Sequence, residues 1–97
     1  MNKINILNYL KEHYKEFQNK YSIEQIGLFG SYARDEATKD SDIDIFVKMP
    51  PELFNMLAIK DDLEETFQKK VDIIREHKNM KPLLIEMIHK DLIYAWW

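Results

Sequence analysis

Along the first stretch of the chain, apolar residues recur every three or four positions. Ile4, Leu7, Leu10, Tyr14 and Phe17 alternate with Lys11, Glu12, Lys15 and Glu16. That period puts the apolar side chains on one stripe and predicts a single amphipathic scaffold helix. His13 falls within it, has no His, Cys or Asp at ligand spacing, and reads as a surface residue. From Ser22 to Phe29 the pattern becomes a short apolar run carrying Ile26, Leu28 and Phe29, a first strand that stops at Gly30. A short helix follows Gly30, and Asp35, Thr38, Lys39 and Asp40 soon end it with turn chemistry. Ile43, Ile45 and Val47 then mark a second strand with one buried face. Pro50 and Pro51 stop it, because proline cannot donate into a ladder and restricts the residue before it.

A second long helix is expected from about Glu52, with Leu53, Met56, Leu57, Leu63 and Phe67 as its apolar stripe. Lys60, Asp61, Asp62, Glu64, Glu65, Lys69 and Lys70 read as its solvated charged face. Val71, Ile73 and Ile74 surround a buried-looking Asp72 in a third strand placed beside the second. Pro82 suits the first turn of a helix whose apolar positions are Leu83, Leu84, Met87 and Ile88. Leu92 to Ala95 forms a short closing strand, and Trp96 and Trp97 end the chain, packing either over the domain's own edge or on a partner.

Chemistry concentrates between the first two strands. In Leu28-Phe29-Gly30-Ser31-Tyr32-Ala33-Arg34, a strand gives way at a glycine to a helix that Ser31 can cap, which presents backbone N–H groups at the mouth of a sheet in a cradle of phosphate size. In Ser41-Asp42-Ile43-Asp44-Ile45, the two acids are separated by two positions of a strand and so share a face. Like charges over a buried strand are disfavoured unless a cation lies between them, and magnesium bridging to a nucleotide phosphate meets that need. Arg34 either reaches a triphosphate or pairs with Glu36 or Asp40. Ser41 either caps its turn or bonds a phosphate oxygen. Asp72 either joins the other two acids or pairs with Lys70 or Arg75.

Gly30-Ser31-x-Ala33-Arg34, continuing through Glu36-Ala37 to Ser41-Asp42-Ile43-Asp44, resembles the signature of the minimal nucleotidyltransferases of the DNA polymerase β superfamily. Within it, the resemblance is to the short antitoxins of HEPN-type ribonuclease toxins, and it extends over nearly the whole chain. One departure is Asp35, where the family often has Gly; Asp tolerates turn conformations better than most residues. The resemblance implies an α/β fold of α+β type, a short mixed sheet of three to four strands flanked by about four helices. It implies Asp42, Asp44 and Asp72 as catalytic, metal-binding acids. Gly30, Ser31, Arg34 and Ser41 would bind the nucleotide. It also implies ATP as donor, Mg2+ as cofactor, and a tyrosine of a cognate HEPN toxin as the acceptor of AMP.

Composition narrows the partners. The 97 residues, 45% hydrophobic, suit one small domain spanning 1–97, and the absence of cysteine removes disulfide and thiolate-metal readings. A formal net charge of -3 gives no electrostatic footprint for nucleic acid. No apolar run approaches a membrane span and the N-terminus lacks a secretory pattern, so a cytoplasmic protein without membrane contact is expected. Two competing functions remain at this point: an antitoxin that only occludes its toxin, and a free-standing enzyme acting on a small molecule or RNA.

Overall fold

The computed structural model describes residues 1–96. Its elements run α1 (Lys3–Glu12), α2 (Tyr14–Tyr21), β1 (Gln25–Phe29), α3 (Gly30–Ala33), β2 (Ile43–Lys48), α4 (Leu53–Phe67), β3 (Val71–Arg75), α5 (Pro82–Asp91) and β4 (Ile93–Trp96). The strands make one mixed sheet in the order β3-β2-β1-β4. β1 pairs antiparallel with β2 and β4, whereas β2 and β3 are parallel. Parallel neighbours need a crossover, which α4 supplies. Glu64, one turn from its end, accepts a hydrogen bond from the Val71 amide at 2.9 Å and so ties α4 to the strand it feeds.

Both faces of the sheet are covered, unequally. The larger core buries Ile6, Leu10, Phe17, Ile43, Ile45 and Leu63 completely, and draws on α1, α2, α4 and the inner face of β2. A smaller cluster on the opposite face joins Phe46 to Ile88 of α5 and to Met80, just ahead of that helix. Side chains alternate along β2, so Phe46 shares its face with Asp44. The acids therefore lie at the open end of the face that α5 only partly roofs.

The first helix is broken, giving five helices among the described residues instead of about four. His13 leaves helical geometry at φ -102°, ψ 16°, and its Nδ1 donates to the Tyr9 carbonyl at 2.8 Å while its ring stacks on Tyr9 at 4.0 Å. It is thus half-buried at a bend, where its side chain joins its own backbone N–H on the Tyr9 carbonyl, and not a surface residue of one long helix. β1 starts at Gln25, later than Ser22, because Ser22 adopts φ 57° and closes α2 through its N–H to Gln18. Trp96 packs internally: its indole N–H donates to the Leu10 carbonyl at 2.9 Å and its ring meets Tyr14 edge-on. The expectation for Trp97 lies outside the described residues. Among them, no helix is long and apolar enough to cross a membrane.

Candidate active site

Phe29, Asp44 and Asp72 stand in register across β1, β2 and β3. Neighbouring strands lie about 4.8 Å apart, so Asp44 and Asp72 are one strand spacing from each other on the same face. Asp42 lies two residues before Asp44, immediately ahead of β2. Asp44 is half-buried. Its carboxyl is pushed up to about 6, first by burial, then by the charges of Asp72 and Asp42, with Arg34 acting in the opposite sense. Asp72 is exposed at the start of its strand, in contrast to the buried acid expected. Among the described residues, no ion pair reaches any of the three. Nor is any trio of acidic or histidine side chains already closed to the distances of a metal cage. The acids are aligned, not converged, as mutual repulsion favours.

Gly30 is required at its position twice over. Its φ is +75°, in the region that L side chains rarely adopt, and a Cβ would overlap Asp44 Oδ2 and lie 2.9 Å from Asp44 Cγ. The glycine therefore lets the Asp44 carboxylate reach the start of α3. Ser31 does not cap that helix: it is the second residue of α3, which Gly30 already opens. Asp35 takes φ 60°, as a turn-tolerant residue can, and pairs with Lys3 at 2.9 Å.

Arg34 sits at the C-cap of α3, where its Nη1 meets Asp91 at 2.7 Å and its Nε meets Glu36 at 3.0 Å. Glu36 is one of the two partners the sequence offers; the other partner is Asp91 of α5 and not Asp40. Asp91 first, then Glu36, raises the guanidinium pKa above its ordinary value. Ser41 is used in its turn, where its hydroxyl accepts from the Thr38 N–H at 2.9 Å. Asp72 pairs with neither Lys70 nor Arg75; Arg75 donates instead to the carbonyls of Met49 and Glu76.

Two clefts meet at Asp44. One, about 310 Å³, is bounded by Gly30, Ser31, Arg34 and Asp91, with Met87 of α5 as an apolar wall. The other, about 480 Å³, has Asp44 and Asp72 at its floor, and Met56, Leu57 and Lys60 of α4 along its side. A third hollow of about 450 Å³, containing Lys3, Thr38, Lys39 and Lys69, touches none of the three acids. The sequence reading missed both Asp91 and Lys60. Lys60 was visible in principle, because it follows Met56 and Leu57 by four and three positions and so shares their helix face. The acid chemistry suits a hard divalent cation bound through oxygen, and the charge stress on Asp44 is of the kind such an ion relieves.

Residues 10–95 match the nucleotidyltransferase domain family. The chain is 38% identical over 87 residues to a Methanocaldococcus jannaschii protein provisionally named a protein adenylyltransferase, a match covering 88% of this chain and 89% of that protein. It is 31% identical over 88 residues to the protein adenylyltransferase MntA of Thermococcus cleftensis, covering 89% and 88% respectively. A solved structure provisionally described as a minimal nucleotidyltransferase superposes with a TM-score of 0.75 at 28% identity, covering 96% of this chain and 95% of that one. Two more share the fold at lower identity. One is a toxin-antitoxin crystal structure with AMP-PNP (TM-score 0.69, 19% identity, 89% and 72% covered). The other is a tri-AMPylated Shewanella oneidensis HEPN toxin in complex with MNT antitoxin (TM-score 0.62, 18% identity, 93% and 71% covered). The chain, with its glycine-led turn and row of strand-borne acids, belongs to the nucleotidyltransferase domain family and is one of its minimal nucleotidyltransferases.

Proposed function

We propose that this nucleotidyltransferase is an antitoxin, which transfers AMP from ATP to a tyrosine hydroxyl of a cognate HEPN ribonuclease toxin in the cytoplasm and thereby silences it. The observation that carries this reading is the register of Phe29, Asp44 and Asp72 across three adjacent strands, with Gly30 directly after β1 and against the Asp44 carboxylate. Its support comes from a relative named a protein adenylyltransferase and from the fold shared with the antitoxin of an AMPylated HEPN toxin.

The reaction forms a bond between the acceptor oxygen and the α-phosphorus and breaks the bond from that phosphorus to the bridging oxygen. Pyrophosphate leaves, and the hydroxyl proton passes to a carboxylate or solvent. Gly30, Ser31 and Arg34 line the cleft that would take the β- and γ-phosphates, with Gly30 letting the Asp44 carboxylate stand against its edge and Ser31 offering a hydroxyl. Asp42 and Asp44 would hold magnesium, with Asp72 nearest the acceptor. Bound magnesium supplies charge neutralisation on the triphosphate. Arg34 must exchange Asp91 for phosphate if it is to take part.

Apolar side chains are exposed on both flanks of the acids, among them Phe54 at 78% and Leu53 at 64% on α4, and Leu83 at 68% and Met87 at 61% on α5. A protein acceptor would cover this surface. The reading is tested by supplying ATP labelled at either the α- or the γ-phosphorus, with magnesium and a HEPN-type partner. Only the α label should become protein-bound. Partner inhibition with neither label incorporated would replace enzymatic transfer by occlusion.

A further inference from the structure

The two clefts meeting at Asp44 differ in character, and the strand order gives each a side. Going across the sheet, the end of β1 with Gly30 comes first, then Asp44 on β2, then Asp72 on β3. An in-line displacement at phosphorus requires the incoming oxygen to approach opposite the departing pyrophosphate. With the triphosphate at Gly30 and Ser31, the incoming oxygen must arrive from the β3 side. There the cleft walls are apolar, with Met56 and Leu57 on α4 and Ile73 and Ile74 on β3, while Asp44, Asp72 and Lys60 are the charged residues that line it. Lys60 is half-buried, is the one cation lining this cleft, and among the described residues has no salt-bridge partner.

We infer that the cleft between α4 and β3 is the acceptor subsite, that it receives the aromatic ring of a tyrosine side chain, and that Lys60 donates a hydrogen bond to the phenolic oxygen. This rests on the adenylyltransferase reading above. Apolar walls favour a flat ring over the short side chain of serine or threonine, which would leave them wet. A single cation beside the carboxylates gives the hydroxyl a fixed direction and favours its oxygen as negative charge develops there. Leu53 and Leu57 line the cleft and are exposed, and the exposed Phe54 adjoins Leu53 on α4, a surface on which the protein carrying the tyrosine would rest.

The test is a titration of the isotope-labelled full chain, followed by amide chemical shifts. N-acetyl-tyrosinamide should move the amides of Leu57, Lys60, Ile73 and Ile74, whereas AMP-PNP with magnesium should move those of Gly30, Ser31 and Arg34. N-acetyl-phenylalaninamide should enter the same cleft about tenfold more weakly, as expected for loss of a hydrogen bond to a charged group. In Lys60→Met the preference for tyrosine over phenylalanine should vanish while both still bind, and Lys60→Arg should restore it. A general disruption of the fold would weaken both probes together, so the lost preference separates the hydrogen bond from packing. AMP-PNP shifting the α4 and β3 amides while tyrosinamide leaves them unmoved would overturn the assignment and make the cleft a base-binding site. An AMP-PNP titration with no shift anywhere would sink the adenylyltransferase reading itself, and this subsite with it.

Discussion

At the scale of the single residue, the site's energetics turn on Asp44 and the glycine beside it. The folded protein raises the Asp44 carboxyl from its ordinary 3.8 to about 6. Protonation is therefore favoured by the folded state, and the stability it contributes is full below pH 4 and is lost as pH rises through 6. Metal-free protein should lose stability over that interval in a way that Asp44→Asn does not, which is checked by chemical denaturation of both proteins at several pH values. Magnesium requires the ionised form, so its affinity should rise over the same range. The pair Asp42→Asn with Asp44→Asn should abolish transfer while leaving the metal-free fold intact or more stable, because clustered like charge is removed. An unfolded double variant by circular dichroism would instead give these acids a structural role. Gly30→Val faces both the positive φ and the Asp44 carboxylate, so a loss of about 1–3 kcal/mol in stability is expected together with loss of nucleotide binding. Unchanged AMP-PNP affinity in that variant would remove the phosphate cradle from the mechanism.

At the scale of the element, α5 is linked to the nucleotide cleft through one ion pair. Asp91, at the end of α5, holds the Arg34 guanidinium that also borders the phosphate side of the site. Asp91→Asn should release it and tighten AMP-PNP binding about two- to fivefold, the range of one exposed ion pair, whereas Arg34→Ala should weaken binding. Equal nucleotide affinity in both variants and the parent would leave Arg34 a purely structural link. The same element explains part of what the sequence left hidden. The short strands and the glycine turn were readable because alternation and punctuation are local signals, and Asp42 and Asp44 fall two apart on one strand. The Arg34–Asp91 pair joins positions 57 residues apart and has no local signature. The His13 bend interrupts a stripe that continues unbroken in sequence: Leu10 and Phe17 are both buried on either side of it, so periodicity alone describes one helix. Lys60 shares a helix face with Met56 and Leu57, a local signal, but the charged run around it reads as solvated face until β3 is placed opposite it.

At the scale of the whole molecule, the chain closes on itself through β4. Trp96 joins the last strand to α1 by its hydrogen bond to Leu10, and Gly27 lets β4 approach β1 where a Cβ would press on Leu92 and the Ile93 carbonyl. Trp96→Ala should cost about 3–5 kcal/mol, a large share of the total stability of a domain this size. Trp96→Phe should retain most packing but leave the Leu10 carbonyl unpaired, costing about 1–3 kcal/mol in denaturant melts. This closure fixes the sheet that carries the acids, while the exposed apolar residues of α4 and α5 remain on either side of them. A fold held internally at one end and left apolar around its chemistry at the other is suited to an acceptor that is itself a protein. The most direct test of that account is the intact mass of a HEPN-type partner after incubation with this protein, ATP and magnesium, beside the Asp42→Asn, Asp44→Asn control. The account predicts a gain of one or more AMP units that the control lacks; an unmodified partner that is nevertheless bound and inactive would contradict it.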